Sequence, residues 1–159
     1  MGAVFRRCGY ILSREIAMRL EEILVTHPRQ TPLAISEITS CIHSIFECAD
    51  ANIACADACL GQDQVQDLVH CIRINEDCAE ICEVTGKILS RQTEPDSAVV
   101  RAQLQACLVA NRACAAECDR HAQQHQHCRI CAEACREAEE ACRKLLDKFP
   151  GPDISRIIV

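Results

Sequence analysis

Fourteen of the chain's fifteen cysteines fall into one register. Cys48, Asn52, Cys55 and Cys59 follow C-x3-N-x2-C-x3-C, and Cys41 extends the set by one heptad. Cys71, Asn75, Cys78 and Cys82 repeat the pattern, as do Cys107, Asn111, Cys114 and Cys118. A fourth set, Cys128, Cys131, Cys135 and Cys142, has spacings of three, four and seven, and carries Ala138 where the others carry asparagine. Such spacings put side chains on one face of a helix. In heptad terms the cysteines and asparagines take the a and d positions, where a coiled coil places Leu and Ile. One or two cysteines there would be packing, because cysteine is a small buried hydrophobe; fourteen in register ask for a chemical use of the thiol.

Three uses compete. Disulfides within a helix are disfavoured, since neighbours at i and i+4 have Cβ atoms about 5–6 Å apart and a bridge needs about 3.5–4.5 Å. A redox pair of the thioredoxin kind needs a βαβ setting that this chain lacks. Among metals, zinc prefers closed tetrahedra, and continuous thiol stripes do not divide into isolated fours. Iron–sulfur ferredoxin spacing is absent, and the single C-x2-C pair, Cys128 and Cys131, is not followed by His. Monovalent copper is soft and thiophilic, and a pair such as Cys55/Cys59 or Cys78/Cys82 could clamp one ion. Fourteen thiolates with fourteen Cu(I) ions leave a neutral core, whereas zinc tetrathiolates bury charge.

The rest of the composition bounds the answer. At 159 residues and 17.6 kDa the chain suits one domain. Net charge is −6, which disfavours a nucleic-acid partner, and no apolar run is long enough to span a membrane. Arg6, Arg7 and Cys8 hint at an export or lipidation signal, but Tyr10, Ile11 and Leu12 are followed at once by Ser13, Arg14 and Glu15. A cytoplasmic protein with reduced thiols is therefore expected.

Helices must position the seam. Residues 11–26 place Leu12, Ile16, Leu20, Ile23 and Leu24 at helical spacing, which predicts a short leading helix. Thr31-Pro32 reads as a helix start, Leu60-Gly61-Gln62 as a stop, and Asp63 with Gln66 as a capping box. Segment 91–97, containing Glu94-Pro95-Asp96, and Phe149-Pro150-Gly151-Pro152 are further breaks. Four helices are predicted over 33–60, 64–90, 95–121 and 126–148, although no Gly or Pro marks a turn at 121–127. Their matched lengths imply an all-α fold, an antiparallel four-helix bundle with a Cys-lined core. The predicted organisation is 1–32 as leading segment, 33–148 as bundle and 149–159 as tail.

With its C-x6-C-x3-C helices and nearby histidines, the chain over 33–148 resembles the bacterial cytosolic copper storage proteins. The resemblance implies a bundle, commonly a tetramer, holding many Cu(I) ions on the fourteen registered cysteines. Only Met1 and Met18 are present, which favours the cytosolic branch over the exported one with its methionine-lined mouth.

His121, His125 and His127 cluster at one expected bundle end, with His70 placed two turns into the second helix. Continuing the register, His121 and His125 take lumen-facing positions and are the expected receiving ligands; His127 is a further candidate. His43 and His27 read as surface residues. Asn52, Asn75 and Asn111, also possible ligands, read as structural, pinning register as buried asparagines do in coiled coils. Ile and Leu beside the seam and Ile157-Ile158-Val159 supply apolar surface for a homo-oligomer. The expected role is non-enzymatic storage of Cu(I), near one ion per core cysteine. A metallothionein-like zinc buffer is the alternative. A di-iron enzyme is disfavoured because no Glu-x-x-His pair occurs.

Overall fold

The computed structural model describes residues 19–29 and 31–149. Cys8, Leu12, Ile16 and the terminal Ile157-Ile158-Val159 lie outside them. Residues 19–25 are helical, and Leu24 enters the core while Ile23 stays exposed. Four long helices follow: α1 (Ile35–Leu60), α2 (Val69–Leu89, preceded by a 3-10 turn at Val65–Leu68), α3 (Ser97–His121) and α4 (Gln126–Leu146). Helix α1 packs against α2 and α4, and α3 against the same two, so sequence neighbours surround one lumen. The short connections make each adjacent pair antiparallel. The expected bundle is the observed fold, residues 19–25 are the described part of the leading helix expected over 11–26, and among the described residues no helix is long and apolar enough to cross a membrane.

The interior is divided along its length. Near the start of α1 and α3 and the end of α2 and α4 sit Ile38, Ile42, Ile45, Leu89, Val100, Leu104 and Leu145, with Leu24 beside them, all buried. Beyond this plug the core is mostly Cys, Asn and Ala, with Leu68 buried at the opposite end. At about 25 cal/mol per Å² of apolar surface, the plug supplies conventional hydrophobic stabilisation that thiols and carboxamides alone would not. Phe46 lies directly over Gly86 on α2, where a Cβ would come within 2.6 Å of the ring.

Helix ends depart from three expectations. Thr31 does not cap α1; its hydroxyl accepts from Leu33 N–H at 3.2 Å, and the helix starts after Ala34, which offers no side-chain cap. Asp63 and Gln66 form no capping box, because the chain takes a 3-10 turn and α2 begins only at Val69. His70 therefore sits in the first turn of α2 rather than two turns in. The turn without Gly or Pro is real: α3 ends at His121, whose carbonyl accepts from the N–H groups of Gln124 (3.1 Å) and His125 (2.9 Å). Polar residues that no helix face requires let the chain reverse there.

Asp96 is the one side-chain cap among the four helices, its Oδ1 accepting from Ala98 N–H (2.8 Å) and Val99 N–H (3.1 Å). Asp96→Ala should lower the stability of the metal-free protein by about 1 kcal/mol. Chemical denaturation followed by circular dichroism measures this, with an unchanged slope against denaturant.

Candidate metal centre

All fourteen registered cysteines are buried and free. Their register turns each set inward, so sulfurs from different helices meet in the lumen. Representative Sγ–Sγ separations are 3.6 Å for Cys48–Cys135, 3.8 Å for Cys82–Cys107, and 3.9 Å for both Cys55–Cys128 and Cys71–Cys118. A disulfide is about 2.05 Å long, so these are van der Waals neighbours and not bridges.

Four groups bring three or more donor atoms within 4.8 Å of one another. At the end of the bundle holding the histidines are Cys55, Cys59, His127 and Cys128. Inward lie three all-sulfur triangles: Cys55/Cys118/Cys131, Cys114/Cys131/Cys135 and Cys48/Cys78/Cys135. Each group shares one sulfur with the next: Cys55, then Cys131, then Cys135. The expected clamp within a single helix recurs only in part. Cys55 and Cys59 share a group, but every group draws donors from at least two helices, and Cys78 reaches across to Cys48 and Cys135 rather than joining Cys82 in a triad. Small side chains at a and d let the helices close until sulfurs on facing helices touch. The remaining thiols continue the column, Cys71 against Cys118, Cys82 against Cys107, and Cys142 facing Cys107 and Cys41.

The three asparagines, all fully buried, make one repeated arrangement. Each amide Nδ2 donates to the carbonyl one turn back: Asn52 to Cys48 O (2.7 Å), Asn75 to Cys71 O (2.7 Å) and Asn111 to Cys107 O (2.8 Å). The same Nδ2 lies 3.1–3.4 Å from the Sγ of that cysteine. Each Oδ1 accepts a thiol from another helix: Cys114 at 2.9 Å for Asn52, Cys131 at 3.0 Å for Asn75, Cys48 at 3.0 Å for Asn111. A carboxamide satisfied on both sides ties helices together, and the structural role expected of these residues is the geometry found. Helix α4, with the fully buried Ala138 at that position, brings thiols to this network, Cys131 donating to Asn75 Oδ1, but no carboxamide.

Thiol protons are redistributed by the same contacts. Cys118 and Cys135 are held well below the ordinary thiol range, first through their interaction with the neighbouring Cys114, and Cys82 likewise through Cys107. Cys48 is pushed up, first by its hydrogen bond with Cys135, and Cys142 by that with Cys107; burial adds to both. At the histidine end burial raises Cys59 to about 11. Protons are thus easiest to remove where neighbouring thiols donate to the sulfur left behind.

The histidines divide differently from expectation. His127 enters the donor column, with Nδ1 3.5 Å from both Cys55 Sγ and Cys128 Sγ and 4.0 Å from Cys59 Sγ. Its Nε2 is buried without a hydrogen-bond partner. Burial first, and then the nearby His125, lower its pKa, so the ring is the neutral form a metal requires. His121 and His125 join none of these donor groups: His121, the last residue of α3, turns to Glu117, and His125 lies beyond the helix end. His121 Nε2 pairs with Glu117 Oε1 at 3.1 Å, and His125 packs on His127 with ring centroids 5.3 Å apart. Both line a polar cavity of about 250 Å³ with Asp63 and Asp67. Glu117, 7% exposed, also accepts from Arg120 at 2.9 Å and faces His70 at 3.9 Å. Sequence reasoning passed over it. Its place one residue before Cys118 on a seam helix was the available signal.

Comparison with known proteins finds relatives that hold copper. The family model for copper storage protein matches residues 34–147. A copper storage protein of Streptomyces lividans, solved loaded with 10 copper equivalents, is 46% identical with a TM-score of 0.79, over 80% of this chain and 98% of that one. A Streptomyces lividans structure described as a cytosolic copper storage protein with five coppers is 50% identical with a TM-score of 0.71, over 72% and 95%. An uncharacterised cysteine-rich protein of Bacillus subtilis, YhjQ, is 32% identical over 67% of this chain and 93% of its own.

Removing one carboxamide tests the network. Asn52→Ala should destabilise the metal-free protein by about 1–3 kcal/mol, the cost of stranding buried polar groups. Denaturant unfolding under reducing conditions reads it out; an unchanged midpoint would mean the amide contributes nothing to the fold.

Proposed function

This chain belongs to the copper storage protein family, and on that premise we propose that it stores and buffers Cu(I) in the cytosol, bound by the fourteen thiolates of the bundle. The carrying observation is the row of buried all-sulfur triangles joined through shared cysteines. Three soft donors suit Cu(I), and a shared thiolate can bridge two ions. Such sharing supports uptake near one ion per core cysteine, with thiol protons leaving as copper enters and the loaded core close to neutral. The role is retention, not catalysis.

Copper enters at the histidine end. His121 and His125, beside Asp63 and Asp67 in the polar cavity, offer a first, exchangeable stop for a cation. His127 passes it to Cys55, Cys59 and Cys128. The aliphatic plug makes the opposite end a poor axial entrance. Exposed apolar side chains on the outer faces, among them Ile53 and Leu60 on α1 and Val99 and Val109 on α3, support association of copies, in line with the tetramer that the resemblance implies.

One observation favours zinc at a single place. Cys55, Cys59, His127 and Cys128 form a Cys₃His quartet, a common tetrahedral zinc set. The triangles lack a fourth ligand, so this reading accounts for about one ion and leaves the rest of the column unexplained.

Anaerobic titration of the reduced protein with Cu(I) against a chromophoric chelator separates the readings. Uptake should reach on the order of fourteen ions, with about one proton released per thiol engaged and with affinity rising with pH. Zn(II) should saturate near one. His127→Ala should lower the zinc uptake most and slow copper entry, leaving most copper capacity intact. Copper uptake stopping at one or two ions would overturn storage.

A further inference from the structure

Far from His121, His125 and His127, a surface groove of about 250 Å³ between α1 and α4 has Ser36, Glu37, Ser40, Cys41 and Lys144 in its lining. It reaches the thiol column from the side. Cys41, 2% exposed, lines it, and behind Cys41 come Cys142, then Cys107, then Cys82 at 3.8 Å. The end of the bundle closed axially by the plug therefore has a lateral groove with Cys41 in its wall. We propose that this groove is a second port, at which a zwitterionic thiol the size of an amino acid binds and withdraws copper from the far end of the column.

Size and charge select this ligand. The volume lies below the range usual for drug-sized ligands, so a protein loop does not fit, while a cysteine-sized molecule does. Glu37 and Lys144 put opposite charges on its walls, matching an ammonium and a carboxylate, and Ser36, Ser40, Ala141 and Leu145 complete the lining. Both charges are held only by exposed pairs, Glu37 with Lys148 (3.4 Å) and Lys144 with Glu140 (3.4 Å), which a ligand's own charges can replace. The step is ligand exchange without redox change. The incoming thiol gives up its proton and forms a Cu(I)–S bond, the bond from copper to Cys41 breaks, and that proton passes to the Cys41 thiolate.

The inference rests on the copper reading, so its test has an arm without metal. In the reduced, metal-free full chain, limiting iodoacetamide followed by peptide mass spectrometry should label Cys41 before Cys142, Cys107 and Cys82. Ser40→Phe, at an exposed position, should fill the groove and slow Cys41 labelling at least fivefold without altering that of Cys55. In the copper-loaded chain, free cysteine should release copper at least fivefold more slowly from Ser40→Phe, with loading rate unchanged. Lys144→Glu should slow release by cysteine relative to uncharged 2-mercaptoethanol by threefold or more. Cys41 labelled no earlier than Cys82, release unaffected by Ser40→Phe, or an unchanged cysteine-to-mercaptoethanol ratio would each overturn the port. Failure of the storage reading would instead show as absent copper uptake, and the labelling arm would still decide whether the groove opens on Cys41.

Discussion

The structure depends on the hydrogen bond between a buried carboxamide and a thiol on another helix. Thiols are weak donors and weak acceptors, so a core filled with them has little to fix which helix faces which, or at what height. Asn52, Asn75 and Asn111 supply that specificity. Each uses one amide hydrogen on its own helix and turns the carbonyl oxygen to sulfur across the lumen, as with Cys114 at 2.9 Å from Asn52. Because an unpartnered carboxamide is costly inside a protein, a shift of one helix by a turn would break several such bonds at once. Register is therefore held by polar groups, while the aliphatic plug holds the helices together.

This division of labour separates folding from filling. Ile42, Ile45, Leu104 and Leu145 are packed as in an ordinary bundle and need no metal. The thiols occupy the remaining length with nearly fixed positions before any ion arrives. A donor set already in place loses less conformational freedom on binding than one gathered from loops. The touching sulfurs lie 3.6–4.0 Å apart, nearly twice the length of a disulfide bond.

Much of this was legible in the residues. Spacings of three, four and seven fixed which side chains face inward, because helix geometry allows only one face for them; the fold and the buried thiol column follow from that. Helix ends were less legible. Asp63 looked like a cap and is not one, since the chain found a 3-10 turn instead, whereas Asp96, inside a stretch read only as a break, caps α3. The histidines show the same limit. Extending the α3 register placed His121 and His125 in the lumen, but His121 pairs with Glu117, the helix stops before His125, and the reversal delivers His127 from α4 instead. Register carries information only as far as the helix continues. Which sulfurs meet across helices depends on axial stagger, which no single helix encodes.

The shared sulfurs give the column its mechanical sense. Cys55 belongs to both the histidine quartet and the first triangle, Cys131 to the first and second, Cys135 to the second and third. On the storage reading, an ion moving inward can gain sulfurs of the next group before it leaves the last of the previous one, because one ligand is common to both. A bare Cu(I) ion in a low-dielectric interior would face a large desolvation cost, and a path of isolated sites would impose it at every step. A ladder with common rungs avoids that state. The same overlap makes neighbouring sites interdependent: once Cys131 binds an ion in one triangle, its proton is already gone for the next.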